Sequence, residues 1–170
     1  MAERRQVLYD LRVSYSGPFV AEELYAAVDK WITGHGYDKE HKKKLEHVTQ
    51  GGKKIEWLVQ IHTHLDDLHH GLIVLRVLMD NITEVTMKKG KKNYLVNNGD
   101  VLVNIDAFIQ SHIHATFYHS RPVYYFYRAM VDRFIKNFWS FKWDGTVGGQ
   151  GHDLFKTIRH FFDEERRKYV

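Results

Sequence analysis

The middle of the chain alternates apolar and polar residues over several runs that are joined by short connections. The run "KKIEWLVQIHTHL" places Ile55, Trp57 and Ile61 on one face, which is the pattern of a strand with one side buried. A second run continues the pattern from Val101 to Ile113. Runs joined by so few residues pair in antiparallel fashion, because a parallel crossover needs a dozen residues or more. The sequence therefore predicts an antiparallel meander sheet with one apolar face.

Helices are predicted before and after this meander in the sequence. "QVLYDLRVSYSG" alternates like a strand and leads into "FVAEELYAAVDKWITGHG", where apolar residues recur at helical spacing and two glutamates occupy the first turn. "SRPVYYFYRAMVDRFIKNFW" and "HDLFKTIRHFFDEERRKYV" are predicted as two further helices, with "FKWDGTVGGQG" as a loop between them. The polar run "YDKEHKKKLEHVTQGG" is predicted as a loop, and "ITEVTMKKGKKNYLVNN" as two short strands around a lysine-rich turn.

This order of elements predicts an α+β fold. The apolar stripes of the helices are buried at least cost when the helices pack on one face of the antiparallel meander sheet and leave the other face in water. A chain of 170 residues is normally one domain. We therefore expect a single domain over residues 1–170, with an extra C-terminal helix at about 152–168.

Composition excludes several classes of protein. The chain has no cysteine, so disulfides, thiolate nucleophiles and thiolate metal sites are excluded. No apolar run approaches the roughly 20 residues that a membrane span requires, and the N-terminus lacks the apolar segment of a secretory signal. A cytoplasmic protein is the expectation. The net charge of +4 permits an acidic partner without requiring one.

The segment "VLYDLRVSYSGPFVAEELYAAVDKWI", a first strand that turns directly into a helix, resembles the start of the helix-grip fold of the SRPBCC superfamily. The meander and the helix from Val123 continue the resemblance, which covers roughly Val7 to Phe138 as an order of elements. This superfamily includes START-like lipid carriers, and the resemblance implies a cleft for an apolar ligand between the sheet and the C-terminal helix. The residues that would line the cleft are Ile105, Ala107, Ile109, Tyr124, Tyr127, Met130 and Phe134; the alternative is that these residues are simply core.

Two His-x-His pairs are the sharpest chemical feature of the sequence. Residues i and i+2 of a strand point to the same face, so His62 with His64, and His112 with His114, are possible chelating pairs. The alternation places both pairs opposite the apolar face, where a metal would lack a dry and braced surrounding shell. The pattern favours surface polar residues or partner contacts over a metal site, and no cofactor is expected.

Lysines cluster in three segments that are predicted as loops or hairpin tips. If these segments meet at one end of the sheet, they build a cationic rim suited to phosphates. The alternative is that they are solvated tips and blunted strand edges. The candidate nucleic-acid contacts are Lys42, Lys43, Lys44, Lys53, Lys54, Lys88, Lys89, Lys91 and Lys92.

Three functions remain open on the sequence alone. The first is a non-enzymatic binding protein that holds an apolar small molecule between sheet and helix. The second is a basic adaptor that docks on RNA or on a ribonucleoprotein such as the ribosome. The third is a metal-dependent enzyme that uses the His-x-His pairs. No nucleophile elbow, phosphate loop or metalloprotease helix is present, so catalysis is not expected.

Overall fold

A computed structural model describes residues 2–67, 69–89, 92–112, 126, 130 and 137–169 of the chain. The described residues form five strands and two helices, in the order strand, helix, four strands, helix. Their bounds are β1 Ala2–Phe19, α1 Ala21–Gly34, β2 Asp38–Thr49, β3 Gly52–His64, β4 His69–Lys89, β5 Lys92–His112 and α2 Asn137–Tyr169.

The five strands form one sheet in the order β1-β5-β4-β3-β2, and every pair is antiparallel. Strands β2 to β5 form a meander in which each strand pairs with the next one in the sequence. Strand β1 pairs with β5 and forms the other edge of the sheet. The apolar side chains of one sheet face form a single core with the inward stripes of α1 and α2. The predicted α+β class with an antiparallel sheet is therefore confirmed.

Helix α1 follows its predicted pattern closely. Leu24, Val28 and Ile32 are buried on its inward stripe, because they recur at the 3.6-residue period of the helix. Glu22 and Glu23 occupy the first turn, where the helix dipole favours acidic side chains.

The prediction of a loop before the meander is wrong, because most of the segment "YDKEHKKKLEHVTQGG" forms strand β2. Each end of it pairs with β3, from Asp38 opposite His62 to Thr49 opposite Gly52. All twelve of its residues are exposed, so an alternating apolar pattern is not required of it. An edge strand rich in lysine also resists pairing with other chains. Its polarity therefore conceals its strand character in the sequence.

The strands predicted around the lysine-rich turn are continuous parts of β4 and β5. The two strands stay paired on both sides of a β-bulge between Asp80 and Thr83. Asn81 takes a left-handed conformation there, with φ of 54°, which asparagine tolerates better than most residues. Opposite the bulge, a Cβ on Gly99 would lie 2.5 Å from the Ile82 Cδ1 atom and 2.8 Å from the Asp80 carbonyl oxygen. The two strands therefore continue through a bulge at this point, and glycine is required opposite it.

Strand β1 does not keep one face over its whole length. Its register against β5 shifts on both sides of Leu8, and Asp10 has a positive φ of 49°. Because each bulge changes which side chains point inward, Tyr9 is 80% exposed while Val13 and Tyr15 are buried. The Asp106 carboxylate secures the bulge by accepting the Asp10 backbone N–H at 2.8 Å.

The glycine-rich segment predicted as a loop is helical, and it belongs to the single 33-residue helix α2. Two of its glycines face strand β1. A Cβ on Gly148 would lie 3.6 Å from the Val7 Cγ1 atom, and one on Gly151 would lie 2.7 Å from the Leu8 Cδ2 atom. Glycine here allows the helix to approach the sheet closely. The helix predicted at about 152–168 is the C-terminal half of α2.

Two other glycines of α2 provide a test of this correction. A Cβ on Gly145 or on Gly149 would meet no atom within 4 Å. Alanine at either position is therefore expected to stabilise the protein by about 0.5–1 kcal/mol, since glycine is the poorer helix former. Thermal unfolding followed by circular dichroism measures the effect. Gly151→Ala is the matched control, in which contact with Leu8 offsets the gain. Lower stability in Gly149→Ala would show that the segment is not helical.

Candidate functional site

The groove that the resemblance implies is filled on its sheet side, where the predicted lining residues are packed in the core. Ile105 and Ala107 are fully buried, and Ile109 is 3% exposed. The Ala107 Cβ atom lies 3.8 Å from the position that a Cβ would take on Gly151 of α2, so the helix backbone rests almost directly on the strand. Of the predicted lining on the helix side, Met130 is 50% exposed, whereas Tyr124, Tyr127 and Phe134 lie outside the described residues.

A cleft of about 270 Å³ lies to one side of this packed region, between β1 and α2. Strand β1 lies at the edge of the sheet, and the cleft is the gap between this strand and α2. The helix contributes Phe155, Arg159, Phe162 and Arg166, which follow one another at intervals of four, three and four residues. This spacing places them on one stripe of the helix. The complete lining is Arg12, Val13, Ser14, Tyr15, Phe155, Arg159, Phe162, Asp163 and Arg166.

Stacked aromatic rings form the inner wall of the cleft. The Tyr15 and Phe162 rings are nearly parallel, at 17°, with their centroids 4.7 Å apart, and Phe19 meets Phe162 edge-on. The Tyr15 hydroxyl donates a hydrogen bond to the Pro18 carbonyl oxygen at 2.7 Å. Burial and then the nearby Glu165 carboxylate raise the pKa of the Tyr15 phenol. The wall is therefore preformed, and the phenol stays neutral at physiological pH.

Arginines line the outer part of the cleft. The Arg12 guanidinium pairs with Asp10, and its Nε donates to the Asp10 carboxylate at 2.8 Å. The Arg166 guanidinium carbon lies 5.7 Å from the centroid of the Tyr15 ring, within range of a cation–π contact. Arg159 is exposed on the same side of the helix. The cleft therefore combines an aromatic wall with a cationic opening.

A buried carboxylate joins the two helices behind this wall. Glu165 of α2 is fully buried, and its Oε2 atom accepts the backbone N–H of Val20 at 3.2 Å. Val20 occupies the N-cap position of α1, and its own side chain makes no capping bond. The Lys168 ammonium donates to Glu165 at 2.6 Å and to Glu23 at 3.0 Å, and these two bonds raise the pKa of Lys168. Glu165 therefore caps α1 from another helix.

The candidate metal-binding histidines that the structure describes lie on strands that are not neighbours in the sheet. Strand β4 lies between β3, which carries His62 and His64, and β5, which carries His112. The His64 ring stacks on the ring of His70 on β4, with centroids 5.1 Å apart. No group of three or more potential ligands among the described residues could hold a metal ion. His114 lies outside the described residues.

The predicted nucleic-acid lysines of β2 and β3 each contact another side chain. The Lys43 ammonium lies 2.6 Å from the Glu56 carboxylate, and the Lys54 ammonium lies 3.1 Å from that of Asp80. These pairs offset the positive charge that a phosphate contact would need. Similar contacts join Lys42 to Glu40, Lys53 to Glu84 and Lys44 to the ring of Tyr25.

The lysines of the β4–β5 hairpin lie far from those of β2. Lys44 pairs with Trp57, which pairs with Val77 of β4. Lys88 follows Val77 by 11 positions on the same strand, roughly 35 Å along it. The two clusters therefore do not form one cationic rim, and docking on RNA stays a prediction. Lys89 ends β4 and Lys92 begins β5, whereas Lys91 lies outside the described residues.

None of the described residues that were predicted to line a ligand cleft lines the cleft beside β1. Phe155 and Phe162 are expected on the inward stripe of the last helix, and both line the cleft. Arg159 and Arg166 carry the same helical spacing, so the alternation of phenylalanine and arginine on one stripe was the available signal. Their proximity to β1 depends on where that strand lies in the sheet.

Comparisons with known proteins give no assignment. No family model matches the chain, and a search of curated proteins found no match. In the part of the chain that the structure describes, no helix combines the length and the apolar character that crossing a membrane requires.

Proposed function

We propose that the protein is a non-enzymatic binding protein that holds a small molecule with an apolar body between the sheet and the C-terminal helix. The observation that carries this proposal is the cleft between β1 and α2, with its stacked aromatic wall. The resemblance to the helix-grip proteins of the SRPBCC superfamily does not extend to this cleft, because it covers roughly Val7 to Phe138 and the helix side of the cleft is formed by residues 155–166. The cleft lies at the edge of the sheet rather than above Ala107.

The rigidity of both walls supports this function. Strand β1 is held along its length by its pairing with β5, and α2 is tied to α1 through Glu165. A preformed cleft loses little conformational entropy when a ligand enters, so more of the contact energy appears as affinity. Concave sites with apolar walls and a few polar groups are typical of small-molecule binding.

Prodan, a neutral solvatochromic dye with a two-ring naphthalene body, tests this proposal. The dye is expected to bind at one saturable site, with the increase in emission that an apolar environment produces. Phe155→Ala removes an apolar wall residue that is only partly buried, so it is expected to weaken dye binding by about tenfold. A fluorescence titration measures both affinities, and circular dichroism verifies the fold of the variant.

Leu95→Ala is the matched control for this titration. Leu95 is 62% exposed on the β5 side of the hairpin and does not line the cleft. Its replacement removes exposed apolar surface of similar kind and is expected to leave dye binding unchanged. Equal loss of binding in both variants would indicate non-specific adsorption, and absence of saturable binding to the wild type would exclude the proposed function.

A further inference from the structure

The lining of the cleft carries more positive than negative charge. It contains three guanidinium groups, from Arg12, Arg159 and Arg166, and one carboxylate, from Asp163. Arg12 is neutralised by Asp10. Within the described part of the chain, no carboxylate lies at ion-pairing distance from Arg159 or Arg166. Among the described residues, these two guanidinium groups therefore have no acidic partner that would compete with an anion from solution.

Helix geometry places the two arginines on either side of an aromatic ring. Arg159 and Arg166 are seven positions apart, or about 10 Å along the helix axis, and Phe162 lies between them on the same stripe. The Arg166 guanidinium lies close to the Tyr15 ring. Because a guanidinium is planar and weakly hydrated, it loses little hydration when it packs against the face of an aromatic ring. The guanidinium groups of Arg159 and Arg166 can therefore contact an anion above Phe162 from opposite sides.

We infer that the ligand of this cleft is a small amphipathic oxyanion. Its apolar body lies against Phe155 and Phe162, and its carboxylate or phosphate is held by Arg159 and Arg166. This inference rests on the proposed function and names the ligand class. Guanidinium groups bind both oxyanions through paired N–H donors. A volume of about 270 Å³ lies just below the usual range of ligand pockets, roughly 300–1,000 Å³, so it restricts the ligand to a body of one or two rings.

Three compounds with one common body test the inference: 2-naphthoate, 2-naphthyl phosphate and the neutral 2-naphthamide. Titration calorimetry with the full-length protein gives the three affinities. We expect at least one of the two anions to bind about tenfold more tightly than the amide, because the hydrogen bonds to a charged group are the stronger ones. The tighter of the two anions identifies the head group.

Substitution of the arginines assigns the preference to this cleft. Arg159→Gln and Arg166→Gln are each expected to weaken anion binding by about five- to tenfold and to leave the amide unchanged. Arg167→Gln is the control, since it removes the same charge from an exposed neighbour that does not line the cleft. It is expected to change none of the three affinities by more than about twofold, because exposed charges are screened by salt.

The Asp163 carboxylate allows a test in which binding improves. Asp163 follows Arg159 and precedes Arg166 in the sequence, and it lines the same cleft. Its negative charge repels an incoming anion. Asp163→Asn is therefore expected to tighten anion binding by roughly threefold, with no change for the amide. Glu164→Gln, at an exposed neighbouring position outside the lining, is the matched control and is expected to have little effect.

The outcomes separate the two proposals. If the amide binds as tightly as both anions, or if the arginine substitutions weaken all three ligands alike, the anion inference is wrong while a binding cleft remains. If none of the three compounds binds and Prodan also fails to bind, the proposed function and the inference fall together.

Discussion

Replacement of Glu165 by leucine is expected to lower the free energy of unfolding by about 3 kcal/mol. The carboxylate is fully buried and accepts the Val20 N–H and the Lys168 ammonium. Leucine has a similar size but accepts no hydrogen bond, so it leaves the N–H of Val20, the N-cap residue of α1, unsatisfied in a partly buried place. Chemical denaturation followed by fluorescence measures the loss.

Two further substitutions divide this effect into its parts. Glu165→Gln retains an acceptor for Val20 and is expected to cost about half as much as the leucine variant. Glu164→Leu removes an exposed carboxylate from the adjacent position, and its effect should stay within about 0.5 kcal/mol. A leucine variant at position 165 as stable as the wild type would contradict the capping role.

The pH dependence of this stabilisation follows from Lys168. The pKa of Lys168 is raised in the folded protein, so its contribution is complete below the unfolded pKa of about 10.4 and is lost as the pH rises through the folded value. The stability difference between the wild type and Lys168→Met should therefore be constant from about pH 6 to pH 9. Above this range the difference should shrink.

Replacement of Ala107 by tryptophan is expected to destabilise the protein by about 3 kcal/mol or more. Ala107 is fully buried, and the backbone of α2 at Gly151 covers it closely. An indole there must displace the helix from the sheet. Loss of cooperative thermal unfolding, or a large fall in the melting temperature, is the expected result.

A matched variant distinguishes overpacking from a general effect of tryptophan. Ala26→Trp places the same side chain on the exposed face of α1, and its effect should stay within about 0.5 kcal/mol. A groove at Ala107 of the kind implied by the helix-grip resemblance would accept the indole, and dye binding would then be blocked without loss of stability. That result would place the ligand above Ala107 and not beside β1.

Local periodicity accounts for the elements that the sequence predicted well. The stripe of α1 and the alternation of β3 each arise from burial of one face against a common core, so hydrophobic residues recur at the period of the element. The short connections required antiparallel pairing, and the α+β class followed. Strand β2 escaped prediction because an edge strand with all of its residues exposed carries no such alternation.

The C-terminal helix shows how tertiary contact overrides local preference. Four glycines between Gly145 and Gly151 favour a loop by intrinsic propensity. The approach of α2 to β1 requires small residues at Gly148 and Gly151, and packing of the apolar stripe with Leu154 and Ile158 stabilises the helix. Residues far apart in sequence supply that stabilisation, so no local pattern reveals it.

By itself, the sequence determined the class of fold, the antiparallel connection of the strands and the apolar faces that meet in the core. Each of these depends on residues close together in the chain. Only the tertiary structure decided that β1 is an edge strand beside α2, that Glu165 caps α1, and that Arg159 and Arg166 line one cleft with Tyr15. These features join segments more than a hundred residues apart, and such pairings depend on strand order and bulges, which act on the whole sheet.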